Sequence, residues 1–317
     1  MKNFAITGVA GYIAPRHLKA IKDTGNNLIA AVDPHDSVGI LDSFFPQASF
    51  FTEIERFDRH LERLRQSNSS DKLDYLSICS PNHLHDAHIR LALRLGANVI
   101  CEKPLVLNPR NLDLLEELQT ETGSSVYTVL QLRLHPSLIK LKNDIANSKG
   151  KKHNVELTYI TSRGVWYEYS WKAHLQKSGG IATNIGIHLF DLLLWIFGDV
   201  KENIVHYSTC KSMAGFLELQ NANISWFLSI DRNHLLESDK NNGRATYRSI
   251  KVDGVEIEFS TGFTELHTKV YEQTLKGAGY SILVARPSIE LVYNVRNAAI
   301  TNNYDISHPK VKNLVKP

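Results

Sequence analysis

The chain is poor in cysteine, with three in 317 residues. Cys79, Cys101 and Cys210 show no CxxC spacing and are odd in number, and two of them fall in apolar runs that read as buried strands. They read as core thiols of a reducing compartment, not as a disulfide framework. Charge of one sign is also lacking: 36 Lys and Arg against 33 Asp and Glu leave a net +3, too slight to imply a nucleic-acid partner. The small basic excess suits an anionic small molecule. Long hydrophobic runs are missing as well. Met1-Lys2-Asn3-Phe4 leads straight into a short strand with no signal-peptide apolar region, and no apolar segment approaches membrane-spanning length. The expectation is a cytoplasmic protein with no membrane partner. Repeats and low-complexity linkers are absent too. What remains is an ordinary globular composition, 43% hydrophobic and 22% charged, in a chain long enough for two domains, each burying its own core.

The first 130 residues alternate strand and helix. Phe4 to Thr7, Leu28 to Val32, Tyr75 to Cys79, Ala97 to Ile100 and Val126 to Leu130 read as buried strands. Helical segments separate them: Pro15 to about Lys22, Leu41 to Arg65 with a break near Pro46, Leu84 to Leu95, and Asn111 to Glu121. This alternation predicts an α/β domain, a doubly wound parallel sheet of the Rossmann kind, over 1–130. After the first strand comes Gly8-Val9-Ala10-Gly11-Tyr12-Ile13-Ala14, with Pro15 suited to a first helical turn. Glycines between strand and helix let backbone amides approach a pyrophosphate at the positive helix end. The spacing is Gly-x-x-Gly-x-x-Ala, not Gly-x-Gly-x-x-Gly, so an ordinary βα turn is the alternative. Asp33 ends the second strand, 25 residues after Gly8. An acidic residue about 20 residues on can accept from the adenosine ribose hydroxyls. Its charge would repel a 2′-phosphate and no arginine follows directly, which favours NAD over NADP; a turn aspartate before Pro34 is the alternative.

The run Ala97 to Ile100 delivers Cys101-Glu102-Lys103-Pro104 to the crevice at the carboxyl ends of the strands, making Lys103 a candidate site cation; a solvated loop lysine is the plain alternative. Ser80-Pro81-Asn82 and Gln131, Arg133 and His135 follow other strand ends and are further candidates. His83, His85, Asp86 and His88 raise a metal hydrolase as a rival, but the HxHxDH order is not kept, and no metal is expected.

From about residue 131 the pattern changes. A helix from Pro136 to Ala146 precedes strands at Val155 to Ser162, Val205 to Cys210, Gly215 to Leu219, Ile224 to Ile230, Tyr247 to Val252 and Val255 to Phe259, the last pair joined at Asp253-Gly254. They predict a second, α+β domain over 131–317 with a mostly antiparallel open sheet, its late helices at Thr264 to Leu275 and Pro287 to Ala299 lying over it. Within it, Ser178-Gly179-Gly180 opens an apolar helix running to Ile196. At about 3.6 residues per turn, Asn184, His188 and Asp191 share one face. Three polar groups on an apolar helix are either a self-satisfied buried network or an active-site face, and His188 is the natural general base. Arg163, Tyr167 and Lys172 follow the domain's first strand. A guanidinium can hold a carboxylate bidentately, which makes Arg163 the first choice for an anionic substrate, with a surface arginine the comparable alternative.

Glu102-Lys103-Pro104 and Gly179-Gly180 through Asn184-x3-His188, with Gly11-x-x-Ala14-x-x-His17, Ser80-Pro81-Asn82-x-x-His85 and Trp171-Lys172 in order, resemble the Gfo/Idh/MocA oxidoreductases over nearly the whole chain. More narrowly, Gly11 to His17, Tyr159 to Gly164 and Ala182 to Gly186 look like the WlbA/WbpB type of that family. The type consists of UDP-2-acetamido-2-deoxy-glucuronate 3-dehydrogenases of bacterial surface-sugar synthesis. The resemblance implies that His188 takes the sugar hydroxyl proton while Lys103 polarises the oxygen or relays that proton. Asn184, Arg163 and Tyr167 would join them on the substrate. It implies NAD on Gly11, Tyr12, Ile13, Asp33, Ser80, Asn82, His85, Glu102, Lys103, Gln131, Trp171 and Lys172, held tightly and reoxidised in place by 2-oxoglutarate. A homo-oligomer, dimer or tetramer, packed through the second sheet is implied as well. Two departures stand out: an extra residue before Gly11, and Asn184 where many relatives have an aspartate that could act as a base. A dehydrogenase of another sugar or polyol, or a catalytically silent NAD-binding sensor, would share part of this pattern.

Overall fold

The computed structural model describes residues 1–67, 70–148, 150–259, 262–263, 265–302 and 304–314. Thirteen strands are present among them: β1 (Asn3–Thr7), β2 (Asn27–Val32), β3 (Ser49–Phe51), β4 (Tyr75–Ile78), β5 (Asn98–Cys101), β6 (Val126–Thr128), β7 (His153–Thr161), β8 (Val200–Ser208), β9 (Ser212–Leu219), β10 (Ala222–Ser229), β11 (Thr246–Val252), β12 (Val255–Glu256) and β13 (Tyr280–Ser281). The chain divides into two units, Met1–Leu134 with Phe263–Arg286, and His135–Gly262 with Pro287–Pro317.

The first unit holds a seven-stranded sheet in the order β13-β6-β5-β4-β1-β2-β3. Every pair is parallel except β13 with β6. Parallel strands covered on both faces must be apolar along their whole length, and β4 is buried at all four positions. The helices Ala14–Asp23, Ile54–Gln66, His85–Arg94 and Arg110–Thr122 supply the cover, turning Leu18, Ile21, Phe57, Leu61, Ile89, Leu112 and Leu115 inward. Each such fully buried side chain contributes about 1.5–3 kcal/mol. The strand order reverses between β1 and β4, so the crevice at their carboxyl ends is where a doubly wound sheet places its ligand.

Two expectations need correction here. The stretch 41–65 is not one broken helix: Ile40–Phe44 and Ile54–Gln66 flank β3, which adds to the sheet beside β2. The late helix Leu266–Leu275 does not cover the second sheet. It belongs to the first unit, where Tyr271 stacks on Phe4 at 5.8 Å and Phe4 on Tyr75 at 5.0 Å. Its expected start, Thr264, lies outside the described residues.

The second unit has a six-stranded sheet, β12-β11-β7-β10-β9-β8, antiparallel apart from the β7–β10 pair. Gly215 lets Trp226 lie flat across it: a Cβ there would meet the Trp226 ring at 2.6 Å. Phe190 meets Trp226 edge-on at 5.3 Å. This packing explains a third correction, because the helical stretch Leu175–Phe197 does reach the length and hydropathy of a membrane span. Of its most apolar window 72% is buried in the protein, as a core helix requires. Cys79 and Cys101 are buried as expected, whereas Cys210 is exposed.

Candidate active site

Gly8 ends β1 at the point where the strand order reverses. Its φ of +77° is one that side chains rarely adopt, and a Cβ would lie 2.5 Å from the Cys79 carbonyl carbon. The chain between β1 and the helix Ala14–Asp23 is tightened by Gly11 N–H donating to Gly8 O at 3.0 Å and Ala14 N–H to Gly11 O at 3.1 Å. Asp33, at the end of β2, braces this loop from the side: Oδ2 accepts from Ala10 N–H at 3.0 Å and Oδ1 from His35 N–H at 2.9 Å. The amides of Tyr12 and Ile13 meet no acceptor among the described residues. Gln131, in the turn after β6, keeps a buried Oε1 that also has no partner among them. Unpaired amides at a helix start beside a glycine cradle fit the pyrophosphate of a dinucleotide, and an orphaned amide oxygen at the same sheet edge fits a donor on that ligand.

Ser80 and Asn82 are both buried at the end of β4. Ser80 Oγ lies 2.9 Å from His88 Nδ1, and burial lowers the His88 pKa to about 4. His85 is 1% exposed, with Nδ1 2.6 Å from Pro104 O and Nε2 2.8 Å from Ser80 O. It joins the loop after β4 to the loop after β5, so any part it plays in holding a cofactor passes through those loops. Asp86 pairs with Arg90 at 3.0 Å. The histidine-rich segment is therefore divided among three separate tasks and does not converge as one ligand set.

Glu102 and Lys103 follow β5. Glu102 is 7% exposed and its Oε1 faces two imidazoles, His17 Nε2 at 3.0 Å and His267 Nε2 at 3.2 Å. Burial alone would raise its pKa, but these two hydrogen bonds outweigh it and hold the carboxyl well below the usual range. Lys103 is half-buried, and the Lys103-Pro104 peptide is cis. The sequence reading singled out Glu102 and noted His17 only as part of a pattern. It missed His267 and Tyr271, whose one available signal is that both are polar members of the inward stripe of a helix.

In the second unit, the Tyr167 hydroxyl accepts from Asn184 Nδ2 at 2.9 Å. Burial raises the Tyr167 pKa, while the Asn184 bond and the Arg163 charge oppose the rise. Lys172 stands 5.2 Å from the Trp166 ring centre and 5.4 Å from that of Trp171, and its pKa is lowered by burial and by Arg163. The structure thus gathers Arg163, Tyr167, Lys172 and Asn184, two cations beside two neutral hydrogen-bonding groups, an arrangement that takes an anion with hydroxyl neighbours. The regular spacing expected for His188 and Asp191 holds within the helix Ile187–Phe197, whereas Asn184 sits in a π-helical turn, Ala182–Gly186, that leads into it. Asn184 and His188 are half-buried and Asp191 is buried. Wide turns of this kind are frequent at functional sites.

Two family models match successive parts of the chain. Residues 2–129 match the model of the oxidoreductase family's NAD-binding Rossmann fold, and residues 150–222 that of the family's C-terminal alpha/beta domain. The WlbA (WbpB) dehydrogenase from Thermus thermophilus, in complex with NAD and alpha-ketoglutarate, is 53% identical with a TM-score of 0.94, covering 98% of this chain and 100% of that one. The same dehydrogenase in complex with NAD and UDP-GlcNAcA matches at 52% identity, a TM-score of 0.94 and the same coverage. Among curated relatives, the D-glucoside 3-dehydrogenase of Escherichia coli (strain K12) is 26% identical over 181 residues, 49% of this chain and 51% of that protein. The matches span 38% to 55% of the length of the first four such relatives. Two domain models in order and a relative half identical over its full length establish that the chain belongs to the Gfo/Idh/MocA oxidoreductase family.

Proposed function

We propose that the protein oxidises the 3-hydroxyl of UDP-2-acetamido-2-deoxy-glucuronate (UDP-GlcNAcA) to the 3-keto sugar with NAD. Its place would be in the cytoplasm, in bacterial surface-polysaccharide (O-antigen and LPS) sugar synthesis. The observation that carries this reading is the 53% identity over 98% of the chain with a dehydrogenase whose complexes hold NAD, alpha-ketoglutarate and UDP-GlcNAcA. The gathering of Arg163, Lys172, Tyr167 and Asn184 supports it from within the chain, since a uronate carries a carboxylate and neighbouring hydroxyls.

NAD held there would supply the acceptor for the hydride that leaves the sugar carbon. His188 takes the hydroxyl proton as general base, and the Lys103 ammonium stabilises the developing alkoxide or passes the proton on. Asn184 has no basic form, so its work is hydrogen bonding, to Tyr167 and to a sugar hydroxyl. The segment 1–130 carries the dinucleotide through Gly11, Tyr12, Ile13, Asp33, Ser80, Asn82, His85, Glu102 and Lys103, with Gln131 just beyond it. The segment 131–317 supplies the sugar site and the contacts of a homo-oligomer, and Trp171 and Lys172 are its candidates for cofactor binding. On this reading NAD would stay bound between turnovers, with 2-oxoglutarate as its reoxidant.

The test is the near-ultraviolet spectrum of purified protein before and after UDP-GlcNAcA, and again after 2-oxoglutarate. Reduced-nicotinamide absorbance that rises with the sugar and falls with the oxo acid is the expected result. No change with the sugar even after added NAD would sink the substrate assignment.

A further inference from the structure

Five buried groups of the first unit form one unbroken chain. Ser77 Oγ lies 2.7 Å from the Tyr271 hydroxyl, and that hydroxyl 2.7 Å from His17 Nδ1. His17 Nε2 then reaches Glu102 Oε1 at 3.0 Å, and His267 Nε2 reaches the same oxygen at 3.2 Å. The other carboxylate oxygen, Oε2, accepts the main-chain N–H of Lys103 at 3.3 Å. Nothing in the roles assigned above uses His17, His267, Tyr271 or Ser77.

The protons of this chain can be placed by counting donors and acceptors. A carboxylate oxygen accepts from both imidazoles, so both carry hydrogen on Nε2. His267 Nδ1 is buried and meets no partner among the described residues. A second proton there would add a buried positive charge to an unreceived donor, which costs more than a neutral ring with an unpaired nitrogen. His17 is fully buried, which disfavours its charged form. Its Nδ1 is then the acceptor for the Tyr271 hydroxyl, whose own oxygen accepts from Ser77. Every hydrogen bond is satisfied with a single negative charge, on Glu102. A metal ion is the other use of two histidines and a carboxylate whose ligand atoms lie within 4.8 Å of one another. Metal-bound histidines almost always donate their second N–H to an acceptor, and His267 meets none among the described residues. The separations of 3.0 and 3.2 Å are those of ordinary N–H···O bonds.

We propose that His17 and His267 are positioning residues: neutral and protonated on Nε2, they hold Glu102 as a carboxylate that fixes the Lys103 main chain, and so set where the Lys103 ammonium acts without touching substrate. The proposal rests on the role given to Lys103 above. Among the described residues, His17, His267, Tyr271, His85, Cys79 and Cys101 share electrostatic contact with Glu102, and none of these six supplies a fixed positive charge that could replace the two donors.

The experiment pairs His267→Leu, which removes the donor, with His267→Gln, whose amide nitrogen replaces Nε2. With UDP-GlcNAcA, His267→Leu is expected to lower kcat roughly 10- to 100-fold with KM changed less than about threefold, and to move the acid limb of the pH profile up by about one unit or more. His267→Gln restores most of kcat and the original limb. Nitrogen-15 spectra of histidine-labelled wild-type protein, needing no substrate, should show His17 and His267 each carrying its hydrogen on Nε2, as the bonds to Glu102 require. Equal loss in both variants, an unmoved pH profile, either histidine lacking the Nε2 hydrogen, or a stoichiometric metal lost in His267→Gln would each overturn the proposal. If the wild-type enzyme leaves UDP-GlcNAcA untouched, the functional reading fails by itself, and the nitrogen-15 spectrum still decides the proton states.

Discussion

The Asn184 side chain donates to the Tyr167 hydroxyl at 2.9 Å, linking the π-helical turn Ala182–Gly186 to the short helix Trp166–Tyr169. Tyr167 is 4% exposed, and Arg163 and Lys172 lie in its electrostatic neighbourhood. The bond therefore orders the wall of a cationic site.

Asn184→Leu should leave a buried hydroxyl without its partner and destabilise the second unit by about 1–3 kcal/mol. Asn184→Asp keeps a partner for Tyr167, now accepting from its hydroxyl, and should stay within about 1 kcal/mol of wild type in stability. The added negative charge beside Arg163 and Lys172 should raise KM for an anionic sugar roughly tenfold. Chemical denaturation and steady-state kinetics read the two effects separately.

Gly8→Ala tests the cradle at the strand-order reversal. The left-handed φ disfavours alanine by about 1–2 kcal/mol, and a Cβ 2.5 Å from the Cys79 carbonyl carbon pushes β1 and β4 apart at their carboxyl ends. A loss of about 3 kcal/mol or more in unfolding free energy is expected, with NAD binding abolished. Gly25→Ala is the control, since φ there is +71° with open space around it, and it should show the conformational part alone.

Asp33→Ala removes the acceptor of the Ala10 and His35 amides. Charge-assisted bonds of this kind contribute about 1.5–3 kcal/mol each, so the glycine loop loosens and NAD affinity should fall at least tenfold. Calorimetric titration with NAD measures it; an unchanged affinity would mean that the loop holds its shape without Asp33.

Stability should decline on the acid side partly through His88. Its pKa is lowered from 6.5 in the unfolded chain to about 4 in the fold, so between those values the unfolded state binds the extra proton. Stability from this group is complete above about pH 6.5 and is lost as pH falls toward 4, at about 1.4 kcal/mol per pKa unit, or about 3 kcal/mol in all. His88→Gln keeps a hydrogen-bonding partner for Ser80 and should flatten the unfolding curve between pH 6.5 and 4.

Local sequence determined a good deal of this protein. Apolar runs such as Tyr75 to Ile78 are readable as parallel strands because burial on both faces leaves no polar alternation to confuse them. Gly8 and Asp33 stand out locally because a glycine after one strand and an acid at the end of the next carry their own chemistry, whereas Glu102 is reached through the family resemblance. Only tertiary structure decided the rest. The three residues Ser49–Phe51 are too few to show a period, and they become β3 only because β2 offers a free edge. The segment carrying His267 and Tyr271 follows the second sheet in sequence yet packs under Phe4, since the match between two buried surfaces has no signature in either one alone. His267 meets Glu102 across 165 residues of chain. Its role is fixed by burial beside a carboxylate, and burial is a property of the folded whole.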